Sequence, residues 1–129
     1  MTHDQALVLV VEDNALVTSA TRILLEDAGF RVSTGASIAE AYAVCQNDPP
    51  AAILLDLRLP DGDGLTLLKR LRADGGLARV VVALTGRDEP EIRARCLRAG
   101  CLDVVLKPVD VRALAARIRS WLGPSEGAL

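Results

Sequence analysis

The sequence predicts a doubly wound α/β fold, with five parallel strands covered by helices on both faces. Three observations predict it. Five short apolar runs alternate with five stretches of helical periodicity, the rhythm of a parallel sheet joined by right-handed crossovers. Turn and capping residues punctuate the junctions. Four of the five runs also end in distinctive polar residues, where open parallel sheets bind ligands.

The first run, Leu7–Val11, is β-branched and continuous, as a doubly buried strand should be, and leads into Glu12-Asp13-Asn14. Asn14 is placed to cap the first helix. Leu16, Ala20, Ile23, Leu24 and Ala28 recur at helical spacing and predict its buried face, and Gly29 stops it. Residues 30–34 alternate as a short strand, which Gly35 breaks. Ser37 with Glu40 forms a capping-box pattern over residues 38–46, and Asp48-Pro49-Pro50 ends that helix.

The central strand covers residues 51–55, with Asp56 at its end and Asp61-Gly62-Asp63-Gly64 as a dense turn signal. Leu65, Leu67, Leu68 and Leu71 form the apolar face of the third helix, which Asp74-Gly75-Gly76 closes. Residues 80–84 are a fourth strand ending in Thr85-Gly86. Pro90 starts the fourth helix at a tolerated first-turn position, with Ile92, Cys96 and Ala99 facing inward and Gly100 capping it. Residues 102–106 are the fifth strand, ending in Lys107-Pro108. Asp110 caps the last helix, where Val111, Leu114, Ala115, Ile118 and Leu122 keep the amphipathic rhythm. Residues 1–123 are expected to form one domain and residues 124–129 a tail or the start of a linker.

Composition narrows the function. The 129 residues suit one core, and with 50% hydrophobic but 2% aromatic residues that core is built from Leu, Val, Ala and Ile. A net charge of -2 argues for neither nucleic acid nor a membrane surface as direct partner. No apolar run is long enough to span a bilayer, and the N-terminus lacks the basic start of a secretory signal. Cys45, Cys96 and Cys101 lack a metal-binding spacing and read as reduced packing residues, which predicts a cytoplasmic protein.

If the strands are parallel, Glu12, Asp13, Asp56, Thr85 and Lys107 share one edge of the sheet. Each alone has a plainer reading as a turn former, helix cap or surface charge; their joint placement is what points to a site. Close carboxylates repel unless a cation neutralises them, and a hard ion such as Mg²⁺ suits an oxygen-only site that also takes a phosphate oxygen. Asp56 then reads as a nucleophile toward phosphorus, Thr85 as a hydroxyl donor and Lys107 as a mobile point charge. The one histidine, His3, lies near the start of the chain, and a metal-assisted carboxylate mechanism needs no such base. Asp61 and Asp63 lack the rest of an EF-hand pattern and are assigned to turn structure.

Val10-Val-Glu-Asp-Asn14, Leu54-Leu-Asp-Leu-Arg-Leu-Pro-Asp-Gly-Asp-Gly64, Ala83-Leu-Thr-Gly86 and Leu106-Lys-Pro108 together resemble the receiver domain of two-component response regulators, over about the whole chain. The resemblance implies a flavodoxin-like sheet of strand order 2-1-3-4-5. It implies that Asp56 accepts a phosphoryl group from a sensor histidine kinase or a histidine phosphotransfer domain. It implies Mg²⁺ held by Asp13, Asp56 and the backbone carbonyl of Arg58, with Glu12 acting through water. Lys107, followed by a cis peptide bond to Pro108, would contact the phosphoryl oxygen, and Thr85 would carry the switch. Arg58 and Arg87 stand where such proteins tune hydrolysis of the acyl phosphate. The implied role is a signalling switch rather than an enzyme, with self-catalysed phosphotransfer and autodephosphorylation, acting on a downstream protein or a fused output domain. One departure is Val104, where the family often has Phe or Tyr as the partner of the threonine.

Two rivals share this architecture. A receiver that only binds partners would not need the full acidic set with Lys107. A flavin protein would want aromatic residues and a glycine-rich loop after the first strand, and both are missing.

Overall fold

A computed structural model describes residues 5–123. In chain order the elements are β1 (Leu7–Val11), α1 (Ala15–Asp27), β2 (Arg31–Gly35), α2 (Ile38–Asn47), β3 (Ala52–Asp56), β4 (Arg58–Leu59), β5 (Gly62–Asp63), α3 (Leu65–Ala73), β6 (Val80–Thr85), α4 (Pro90–Ala99), β7 (Asp103–Leu106) and α5 (Val111–Leu122). The main sheet is parallel in the order β2-β1-β3-β6-β7. Counted without the short pair β4 and β5, this is the expected 2-1-3-4-5 arrangement.

The continuous apolar runs are explained by burial on both faces. Val8, Val10, Leu54 and Val82 point to one side, where Leu25 of α1 and Leu114, Ala115 and Ile118 of α5 cover them. Leu9, Val11, Ile53, Leu55, Val81 and Ala83 point to the other, against Ile38, Ala41 and Cys45 of α2, Leu67, Leu68 and Leu71 of α3, and Cys96 of α4. Period-two alternation thus survives inside runs that look uniformly hydrophobic.

The caps fall where the polar residues suggested. Asn14 Oδ1 accepts from the amides of Leu16 and Val17, and Asp110 Oδ1 from that of Ala113. Ser37 Oγ accepts from Glu40 N at 3.1 Å, while Glu40 Oε1 reaches back to Ala36 N at 3.2 Å.

Three expectations need correction. The buried face of α1 is not Leu16, Ala20 and Ile23: Leu16 is 83% and Ile23 65% exposed, and the helix buries Thr21 and Leu25 instead. Periodicity reports that apolar residues share a stripe, but not that the stripe faces the sheet. Gly35 does not break β2; it closes it, paired with Val11. It is needed there because a Cβ would stand 2.8 Å from Ala41 Cα. Finally, the expected turn at residues 61–64 is part of a small hairpin that begins at Arg58. β4 and β5 pair antiparallel, Arg58 with Asp63 and Leu59 with Gly62, around a two-residue tip.

Asp103 ties the two flanking helices of β7. Its carboxylate pairs with Arg93 of α4 and Arg117 of α5, and accepts from Val104 N at 2.8 Å. Burial alone would raise this carboxyl, but the Val104 amide and the two guanidinium groups override it and hold it below its usual 3.8. A depressed carboxyl contributes stability above the unfolded value, and that stability is lost as pH falls through the folded value. Asp103→Asn is therefore expected to cost about 1 kcal/mol at neutral pH, kept small by the half-exposed arginines. Urea titrations should show the gap to wild type closing as pH falls below 3.8.

Candidate functional site

The carboxyl ends of the parallel strands form one open cleft of about 1060 Å³. Glu12, Asp13, Asp56, Arg58, Thr85, Arg87 and Lys107 all line it. Every sequence-predicted site residue is thus brought to one place. β1 delivers Glu12 and Asp13 one and two residues past its last pairing with Val11. β3 delivers Asp56 as its final residue, β6 delivers Thr85 and β7 delivers Lys107 just beyond Leu106.

Asp56 is 7% exposed, and its carboxylate is held from two sides. Oδ1 accepts from Arg58 N at 3.1 Å, and Oδ2 lies 3.1 Å from Lys107 Nζ. Glu12 is 5% exposed; Oε2 accepts from Asn14 N at 3.1 Å and Oε1 lies 3.3 Å from the same Lys107 Nζ. One ammonium therefore bridges carboxylates from β1 and β3. Burial pushes the Glu12 carboxyl up, the Asn14 amide opposes this, and the nearby Asp56 charge adds to the rise. Burial would lower the Lys107 ammonium, but the bond to Asp56 and the two carboxylate charges raise it. Lys107 is accordingly charged throughout the neutral range.

Asp13 is exposed, but one oxygen each from Glu12, Asp13 and Asp56 lies within 4.8 Å of the others. The donors are all hard oxygens and the set carries excess negative charge, so it fits a divalent cation such as Mg²⁺ better than a soft metal. Thr85 is buried, and its Oγ1 accepts from Arg87 N at 3.1 Å. Arg87 itself pairs with Glu89 at 2.6 Å across the entrance to α4. The Lys107-Pro108 peptide is cis. Val104 is half-buried and packs with the core on the α4 side, as a plain strand residue.

Two roles escaped the sequence. Asp61, assigned to a turn, accepts from Ile38 N at 2.8 Å and Ala39 N at 3.1 Å, so it caps α2 across the fold. These amides hold its carboxyl below the usual 3.8. Asp63 caps α3 through Leu65 N at 2.9 Å and pairs with Arg95 of α4. The second cap carried a readable signal, since an aspartate stands two residues before the helix; the first did not. Two arginines of α4 also hold carboxylates of other elements, Arg93 that of Asp103 and Arg95 that of Asp63.

The family model described as response regulator receiver domain matches residues 8–119. The chain is 33% identical over 120 residues to the transcriptional regulatory protein PhoP of Escherichia coli K12, covering 93% of this chain and 53% of that protein. It therefore spans about half the length of the curated relatives it matches. Among solved structures, the BeF3-activated N-terminal receiver domain of Klebsiella pneumoniae RstA is 30% identical with a TM-score of 0.81, over 92% of this chain and 99% of that one. A CheY-like response regulator receiver domain from Methanospirillum hungatei JF-1 is 29% identical with a TM-score of 0.82, over 92% and 94%.

Proposed function

The chain belongs to the response regulator receiver domain family, and from that premise we propose that Asp56 is the phosphoryl acceptor of a two-component switch. The observation that carries the reading is the bridging of Asp56 and Glu12 by Lys107 beside Asp13. A carboxylate so placed is buried enough to be directed, yet opens onto a cleft that a donor can reach.

An Asp56 carboxylate oxygen attacks the phosphorus of a phosphohistidine on a sensor kinase or phosphotransfer domain. The O–P bond forms as the P–N bond breaks, and the bonding pair leaves with the imidazole nitrogen. Lys107, already 3.1 Å from Asp56 Oδ2, follows the negative charge onto a phosphoryl oxygen. Thr85 exchanges its bond with Arg87 N for one to that group. Asp13, Asp56 and the Arg58 carbonyl, with Glu12 through water, would hold Mg²⁺, which would supply charge neutralisation at the transferring oxygens. Water later attacks the acyl phosphate, releasing phosphate and restoring the carboxylate; Arg58 and Arg87 at the rim set how readily it enters. The protein is a signalling switch rather than an enzyme of external substrates.

Phosphorylation biases the face made by α4, β7 and α5 toward a downstream protein or a fused output domain. We assign residues 1–123 to the receiver unit and 124–129 to a tail or linker; residues 1–4 and 124–129 lie outside the described residues. The setting is cytoplasmic; no helix among the described residues is long and apolar enough to cross a membrane.

The test is labelling by acetyl phosphate, read as intact mass, with Mg²⁺ and with excess chelator. Labelling is expected to fall to background in chelator, and equal labelling in both would overturn the metal role. A titration with beryllofluoride should perturb the amides around Asp56, Thr85 and Lys107; no change would favour a receiver that only binds partners.

A further inference from the structure

On the other side of Asp63, α3 and α4 leave a second concavity of about 400 Å³, within the size range of small-ligand pockets. Its floor is apolar, from Leu65 of α3 and Ala99 of α4. Its rim is cationic. Lys69 and Arg72 stand three residues apart on α3, and Arg95 faces them from α4.

The charges do not balance. Asp63 pairs with Arg95, but among the described residues no carboxylate lies within ion-pair distance of Lys69 or Arg72. Arg72 is held across the gap by a bond from Nη1 to the carbonyl of Arg98 at 3.4 Å. Like charges at this spacing on one helix repel, and a third cation opposite adds to the cost. Apolar surface at the bottom and unmatched positive charge at the mouth together specify an amphiphilic anion.

We propose that the α3–α4 groove binds a small organic anion, one carboxylate, sulfonate or phosphate-ester head on an apolar body. The body lies against Leu65 and Ala99, and the head meets Lys69 and Arg72. Arg95 turns from Asp63 to the ligand. Asp63 and Arg95 also line the acidic cleft, so occupancy of the groove is felt at the Asp56 site through the exchanged ion pair. The groove does not depend on Asp56 accepting a phosphoryl group.

The probe is naphthalene sulfonate, titrated into the unphosphorylated chain and followed by amide shifts, with neutral naphthol as comparison. Saturable shifts are expected at Thr66, Lys69, Arg95 and Ala99, with naphthol far weaker. Reversing both charges (Lys69→Glu with Arg72→Glu) should weaken binding by about tenfold or more, as loss of charge-assisted contacts implies. Lys69→Arg should keep it. Unchanged thermal melting of the double variant separates lost binding from lost fold. Equal binding of naphthol, no saturable shift, or shifts centred on the exposed Leu16 and Ile23 of α1 would overturn the proposal.

Discussion

Asp56→Asn is expected to abolish phosphoryl acceptance outright, with no intact-mass gain from acetyl phosphate or from a phosphorylated kinase domain. The amide nitrogen is no nucleophile, and the amide oxygen lacks the charge that attacks phosphorus. The loss is chemical rather than structural, because Asn keeps the shape and still accepts from Arg58 N through its amide oxygen. What it loses is the ion pair with Lys107, whose partner becomes Glu12 alone. Folding should therefore survive, and a thermal melt near that of wild type is part of the expected result. A mass gain that persists in the variant and maps to another residue would mean that the acceptor has been misassigned.

Gly64→Ala is expected to give the largest structural effect of any single added methyl in the region. The residue has φ -55°, open to any amino acid, so backbone conformation is not the issue. Space is: an added Cβ would stand 2.4 Å from the carbonyl oxygen of Asp56, with Leu55 side-chain atoms at 3.2 and 3.3 Å. Backbone on one side and a buried leucine on the other leave nothing that yields easily. Overpacking of this kind costs roughly 1–3 kcal/mol. The displacement falls on the last residue of β3, so acetyl-phosphate labelling should slow as well. Gly86→Ala is the control: nothing lies within 4 Å of its Cβ, and its stability should be close to wild type. Equal denaturation midpoints for the two variants would show that the end of β3 is more pliable than this packing implies.

Much of this architecture is legible in the amino-acid sequence. Runs such as Leu7–Val11 are too apolar and β-branched for a surface element, and Asn14, Ser37 and Asp110 announced their helices through short side chains that compete for backbone amides. The site was legible because polar residues are costly at the ends of buried strands and stand out there. What stayed hidden depends on partners distant in sequence. The orientation of α1 is set by which stripe fits the sheet beside α5, and a local pattern gives Leu16 and Ile23 the same standing as Leu25. The bond from Asp61 to the start of α2 spans 23 residues, beyond any local signal. The pairing of β4 with β5 involves two residues on each side, too few for periodicity to register.

The hairpin after Asp56 has a mechanical consequence. Its two aspartates each bolt a helix in place, α2 through Asp61 and α3 through Asp63, and Gly64 seats the exit against β3. Among the described residues the opposite bank of the cleft, from Thr85 to the start of α4, has no such cap: Glu89 makes no side-chain bond to the first turn, Arg87 pairs with its near neighbour Glu89, and α4 is tied to the hairpin only further along, by Arg95 to Asp63. Stiffness is therefore lopsided. Whatever occupies the cleft pushes against a rigid wall on one side and a compliant one on the other, so its strain is relieved along the β6–α4 bank.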